Sequence, residues 1–189
     1  MEIIISAGVT IAAVSAACFF YKRKAKKSPT LSYHFSRTSH SIKNELFKII
    51  DDTNETLDVA IFLLTEQDFV SHLCQATERG VRVRVISDRK KSVEEMQRAN
   101  MKKLIDCGVP VKVNNYDGNM HLKFMISDKQ VVSAGSYNWT HSAEQRNDEV
   151  VLIIRDKKMA REWHHVFDQK WKDLKQYSSF NFYAYKKGA

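Results

Sequence analysis

His121 and Lys123 stand close together in the run His121-Leu-Lys-Phe-Met-Ile-Ser-Asp128. Leu122, Phe124 and Ile126 alternate with them, and that period marks a β-strand whose successive side chains point to opposite faces. The imidazole and the ammonium therefore share one face, turned away from the apolar residues. Held side by side on a rigid strand, they form a site for a phosphate. One group can attack or transfer protons, and the other neutralises an oxyanion.

The elements that must position this strand follow from spacing. A helix is expected from Ser41, with Ile42, Leu46, Ile49 and Ile50 on one face. Thr56–Leu64 is a continuous apolar run suited to the centre of a sheet. Thr65 with Asp68 resembles a capping box opening a helix that Gly80 closes. Val81–Ser87 alternates strictly and predicts the next strand. Ser92 with Glu95 gives a second capping box, for a helix ending at Gly108, and Pro110–Val113 predicts a short strand. Strand His121–Ser127 should turn at Asp128-Lys129 into Val131–Ala134. A polar, irregular stretch at 135–146 then leads to strand Glu149–Ile154. Lys157–Leu174 reads as a helix with Trp163, Phe167 and Trp171 on one face. The expected fold class is α/β: a mixed β-sheet, because of the hairpin at Asp128, flanked by helices on both faces.

The chain has 189 residues, enough for one domain with a sizeable core plus some extra. Its formal net charge of +8 favours a phosphate-rich partner, either nucleic acid or an anionic membrane surface. Cys18, Cys74 and Cys107 are far apart and include no CxxC pair, which argues against disulfides and a cysteine-rich zinc site and fits a reducing compartment. Residues 3–21 are apolar and rich in small side chains, near the roughly 20 residues that cross a bilayer. The basic stretch Lys22–Lys27 follows this run, whereas a cleaved signal peptide carries its positive charge ahead of one. Residues 1–27 are therefore expected to be an N-terminal transmembrane anchor with a cytosolic basic flank; the alternative is a buried or interfacial helix. Residues 28–41 read as a polar connector with a possible short strand at Leu31–Phe35, 42–174 as the catalytic domain, and 175–189 as an aromatic and basic tail. His164 and His165 diverge on their helix and read as surface residues.

The wider pattern carries more weight than the His-Lys pair. His121-x-Lys123-x4-Asp128 is followed by Gly135-Ser136-x-Asn138 and then by Glu149. This closely resembles the HKD signature of the phospholipase D superfamily, and the downstream Glu resembles that of its single-motif branch. The resemblance implies a phospholipase D-like α/β/α sandwich. It makes His121 the nucleophile and phosphohistidine carrier, with Lys123 and Asn138 on the non-bridging oxygens and Ser136 lining the phosphate pocket. Glu149 would hydrogen-bond the other imidazole nitrogen of His121. Asp128 is grouped with the catalytic residues, with bracing as its expected role. No metal or cofactor is implied. The superfamily reaction uses two histidines, and this chain has one HKD motif, so a C2 homodimer sharing its active site is expected.

Within the superfamily, the anchor, the basic flank and the single motif resemble the mitochondrial cardiolipin hydrolase family, also called Zucchini. That family implies the outer mitochondrial membrane, single-pass, with the catalytic domain facing the cytosol. Animal members usually carry a Cys/His zinc element before the core; residues 28–41 have no Cys, and no zinc is expected. The basic charge, including Arg84, Arg89, Lys90, Lys91, Lys129 and Arg146, favours cleavage of single-stranded RNA or DNA in the piRNA pathway. The alternative is a cardiolipin hydrolase that yields phosphatidic acid in the membrane to which it is tethered. A third reading is a non-enzymatic, membrane-tethered RNA-binding scaffold. A lipid site should open through a wide apolar mouth, and a nucleic-acid site through a narrow basic groove.

Overall fold

The computed structural model describes residues 29–183. The expected membrane anchor and its basic flank, Cys18, and the end of the tail lie outside the described residues. Eight strands form one sheet: β1 (Thr30–Phe35), β2 (Thr56–Ile61), β3 (Arg82–Ser87), β4 (Val111–Asn114), β5 (Lys123–Ser127), β6 (Val131–Gly135), β7 (Val150–Arg155) and β8 (Tyr177–Ser179). Their order is β1-β7-β6-β5-β2-β3-β4-β8, with β2–β3 and β3–β4 parallel and the other pairs antiparallel. The helices are α1 (Ile42–Asp51), α2 (Gln67–Glu78), α3 (Arg89–Ser92), α4 (Glu95–Asp106), α5 (His141–Gln145) and α6 (Lys157–Lys172).

β2 lacks polar alternation because both of its faces are covered. Leu57, Val59 and Ile61 join a core with Leu46 and Ile50 of α1, Phe69 and Leu73 of α2, and Met101 and Leu104 of α4. On the other face Ala60 meets Phe124, Ile126, Val132 and, from α6, Ala160 and Phe167. The expected mixed sheet between helical layers is present.

The sheet runs past both ends of the 42–174 span. β1 comes from the expected connector and pairs with β7, while β8 comes from the tail and pairs with β4. The stretch expected to be irregular holds α5, which Thr140 caps by accepting from the Ala143 N–H. Neither expected capping box forms. α2 starts after Glu66 with no side-chain cap, and Asp68 pairs instead with Lys43 at 2.6 Å. Ser92 is buried inside α3, which ends before α4 begins after Glu94.

Three expectations drawn from spacing are corrected by contacts between distant segments. Cys74 and Cys107 form a disulfide, with Cα atoms 5.7 Å apart, because α2 and the C-terminal end of α4 lie side by side on one sheet face. The bond spans a sequence separation of 33. Reducing it is expected to lower the unfolding free energy by about 4 kcal/mol through the restored freedom of the unfolded loop. Urea melts with and without reductant check this, and coincident midpoints would contradict it.

His164 is not a surface side chain. Its Nδ1 lies 2.8 Å from the Asp58 carboxylate, which is buried on β2. Arg84 is likewise taken up beneath α6. Its Nε donates to Asp58 at 2.7 Å and its Nη1 to Asp168 at 3.1 Å, and its guanidinium stacks over Phe167 and Trp171. Lys172 and Arg84 together hold the Asp168 carboxyl down at about 2. These paired charges lock α6 onto the sheet.

Candidate active site

β5 begins at Lys123, so His121 sits just ahead of the strand instead of within it. The His121 ring is exposed and meets the edge of Phe62 with centroids 4.6 Å apart. The Lys123 ammonium lies 4.9 Å over the same Phe62 ring and donates to the His121 carbonyl at 2.9 Å. Phe62 thus contacts both reactive groups, as one wall for the imidazole and a cation–π partner for the lysine. Burial pushes the Lys123 ammonium below its ordinary value, opposed by the nearby Glu149 carboxylate. A desolvated cation of this kind responds strongly to an arriving phosphate.

Phe62 is held from beneath. Gln97 of α4 is buried; its Nε2 donates to the Phe62 carbonyl at 3.1 Å, and its Oε1 accepts from the Leu64 N–H at 3.1 Å. Asn138 fixes the same segment from the side, its Oδ1 accepting from the Leu63 N–H at 3.2 Å. The Nδ2 end of Asn138 is then the one suited to a phosphate oxygen. Asp88, fully buried, accepts from the Met120 N–H at 2.9 Å and so fixes the approach to His121.

Ser136 and Glu149 come together as one cluster. The Ser136 hydroxyl donates to Glu149 Oε2, and Asn147 Nδ2 donates to Oε1 at 3.0 Å. The Glu149 N–H donates in turn to Ser36 Oγ at 2.8 Å, which ties the end of β1 to the site. Both oxygens of the carboxylate are therefore engaged by Ser136 and Asn147, where the sequence reading placed a bond to His121. Glu149 contributes its charge beside Lys123 and orients Ser136.

Gly135 is fixed by a close approach of backbones. A Cβ there would overlap the Val150 carbonyl oxygen and lie 2.9 Å from its carbon. The motif glycine lets β6 run against β7 closely enough for the Ser136 N–H to reach the Val150 carbonyl at 3.0 Å.

Asp128 stands apart from this cluster, at the far end of β5. With Lys129 it turns the β5–β6 hairpin, both residues having positive φ (50° and 53°), as a type I′ turn requires. Its carboxylate accepts three backbone N–H bonds, from Asn54 at 3.0 Å, Glu55 at 2.8 Å and Thr56 at 2.9 Å. Asp128 pins the start of β2 and is no part of the phosphate pocket, which corrects its grouping with the catalytic residues and leaves it the bracing role. Asp128→Ala is expected to cost about 2–3 kcal/mol, while turnover per folded molecule stays near that of the parent. Denaturant melts and kinetics on the same sample check this, and lost turnover at unchanged stability would place Asp128 in the chemistry.

Phe62, Asn147 and Ser36 carry no motif signal. Only the position of Phe62, at the end of a buried apolar strand, could have drawn attention to it. An open cleft of about 580 Å³ adjoins the site, lined by His121, Lys123, Leu122, Ala134, Trp163 and Val166 among others. Its floor is the sheet and its wall is α6.

The family described as "Cardiolipin synthase, PLD-like domain" matches residues 46–171. The chain is 31% identical over 137 residues to a protein of Chlamydomonas reinhardtii named mitochondrial cardiolipin hydrolase, covering 72% of this chain and 60% of that protein. It is 32% identical over 144 residues to the mitochondrial cardiolipin hydrolase of Mus musculus, covering 75% of this chain and 64% of the relative. It thus spans less than two thirds of the length of either relative. Among solved structures, the phospholipase D family member Nuc from Salmonella typhimurium superposes with a TM-score of 0.75 at 23% identity, covering 82% of this chain and 99% of that one. That likeness establishes the fold alone.

Proposed function

Because the chain belongs to the phospholipase D-like family, we propose that it is a phosphodiesterase cleaving a membrane phospholipid of the cardiolipin class through a phosphohistidine on His121. The observation that carries this reading is the apolar cleft beside His121 and Lys123. A cleft walled by Leu122, Trp163 and Val166 suits acyl chains or a glycerol backbone, whereas a nucleic-acid strand calls for cations and stacking faces along a groove. The cations that favoured RNA are largely committed elsewhere. Arg84 is sequestered under α6, Lys129 sits in the far turn, and Lys90 and Lys91 pair with Asp117 and Glu94. The names of the relatives point the same way.

In this account an imidazole nitrogen of His121 attacks phosphorus, and the bond to the leaving glycerol oxygen breaks. Lys123 and Asn138 hold the non-bridging oxygens as charge builds on them. The leaving oxygen takes a proton from His121 of a second copy across a two-fold axis. That same histidine then removes a proton from water, which attacks the phosphohistidine and releases phosphatidic acid and free His121. The second copy is required because one chain carries one such motif. The protein would work at the mitochondrial surface, held there by residues 3–21 with the domain on the cytosolic side.

The cleft itself supplies the test. Val166→Asp adds a carboxylate to an exposed position of its apolar wall. Turnover of cardiolipin in vesicles should fall about tenfold or more relative to turnover of soluble bis(p-nitrophenyl) phosphate. An unchanged ratio would contradict the lipid reading.

A further inference from the structure

Among the described residues, nothing covers the β1 edge of the sheet face on which α6 packs. Leu31, Tyr33 and Phe35 of β1 are 63%, 64% and 53% exposed, and Leu152 of β7 is 39% exposed. These are alternate residues of paired strands and so point to one side. Strand register makes the patch continuous with the active-site cleft. Tyr33 lies opposite Leu152, Leu152 opposite Ala134, and Ala134 opposite Phe124. This apolar row crosses four strands, about 14 Å, and ends among the cleft residues beside His121. An edge strand with aromatic and aliphatic side chains facing water is an aggregation hazard unless something covers it.

We infer that this face docks on an anionic lipid surface, placing the cleft mouth at the bilayer. The inference rests on the phospholipid reading of the site and adds how the substrate arrives. Two observations select this occupant. First, only residues 22–29 separate the apolar run 3–21 from the start of β1. Fully extended, that stretch spans at most about 28 Å, so a membrane-inserted run keeps β1 near the surface. Secondly, charge is placed to match. Lys157 and Lys158, both exposed, open α6 just past the end of β7, beside Leu31. Lys22, Arg23, Lys24, Lys26 and Lys27 precede the same end of β1. Of the nearby carboxylates, Asp156 caps α6, Asp148 beyond the other end of β1 pairs with Arg37, and Glu162, which lines the cleft, lies 4.0 Å from Lys158. An apolar strip bordered by cations fits an anionic interface, with Tyr33 suited to the headgroup level. A phospholipid headgroup could then reach His121 while its acyl chains remain in the bilayer.

The test uses the full chain reconstituted in phosphatidylcholine vesicles containing a dibrominated anionic phospholipid. Tyr33→Trp is compared with the parent, whose three tryptophans supply the baseline. The added emission should be quenched by about half or more; unquenched emission would overturn the docking. The double variant Leu31→Ser, Phe35→Ser should lose about tenfold in turnover of vesicle cardiolipin, with soluble-diester turnover and molecular mass unchanged. If it instead dissociates and loses soluble-diester turnover, a second copy covers this face and the inference is wrong. Quenching without any lipid turnover by the parent supports the docking while overturning the phospholipid reading.

Discussion

His121→Asn abolishes turnover, by at least about 10⁴-fold, and leaves the fold intact. Asparagine keeps a polar side chain of similar reach but cannot form the phosphorus–nitrogen bond or carry the proton. The fold is spared because the ring is exposed and, among the described residues, its ring contact is with Phe62. Thermal melts should therefore coincide with those of the parent. Mixed dimers sharpen the expectation. If each reaction needs His121 from both copies, a dimer in which one chain carries His121→Asn is also inactive, and activity falls with the square of the parent fraction. A linear fall would show that one copy suffices.

Gly135→Ala damages both stability and catalysis. The added methyl would meet the Val150 carbonyl, and no side-chain rotation relieves a contact made by Cβ and backbone. β6 must move off β7, which breaks the Ser136 N–H bond to Val150 and draws Ser136 from Glu149. The expected cost is about 3 kcal/mol, together with a loss of about 100-fold in turnover from the displaced pocket. Urea unfolding and steady-state kinetics measure the two effects. A variant of parental stability would mean that β6 and β7 are farther apart than described.

Local pattern made much of this legible. The alternation through Leu122, Phe124 and Ile126 marked β5 and put Lys123 on the face opposite Phe124 and Ile126. The spacing from His121 to Ser136, Asn138 and Glu149 picked out the residues gathered around one end of the sheet. Topology supplied what spacing could not. Cys74 and Cys107 are neighbours because the crossovers lay their helices side by side on one face, and His164 meets Asp58 because α6 packs on the face to which β2 turns that carboxylate. Asp128 shares a sequence motif with His121 but lies beyond the opposite end of β5, so motif membership was a poor guide to contact. Phe62 was hidden for a different reason: one aromatic residue in an apolar run reads as core, and core packing is what most such residues do. Its place at the strand end, propped by Gln97, is what turns it toward the chemistry.

The lipid and RNA readings separate most directly when the protein is offered cardiolipin vesicles and single-stranded RNA side by side, with His121→Asn as the control. The expected result is phosphatidic acid from the vesicles, dependent on His121, with the RNA left intact. His121-dependent cutting of RNA with the vesicles untouched would contradict it.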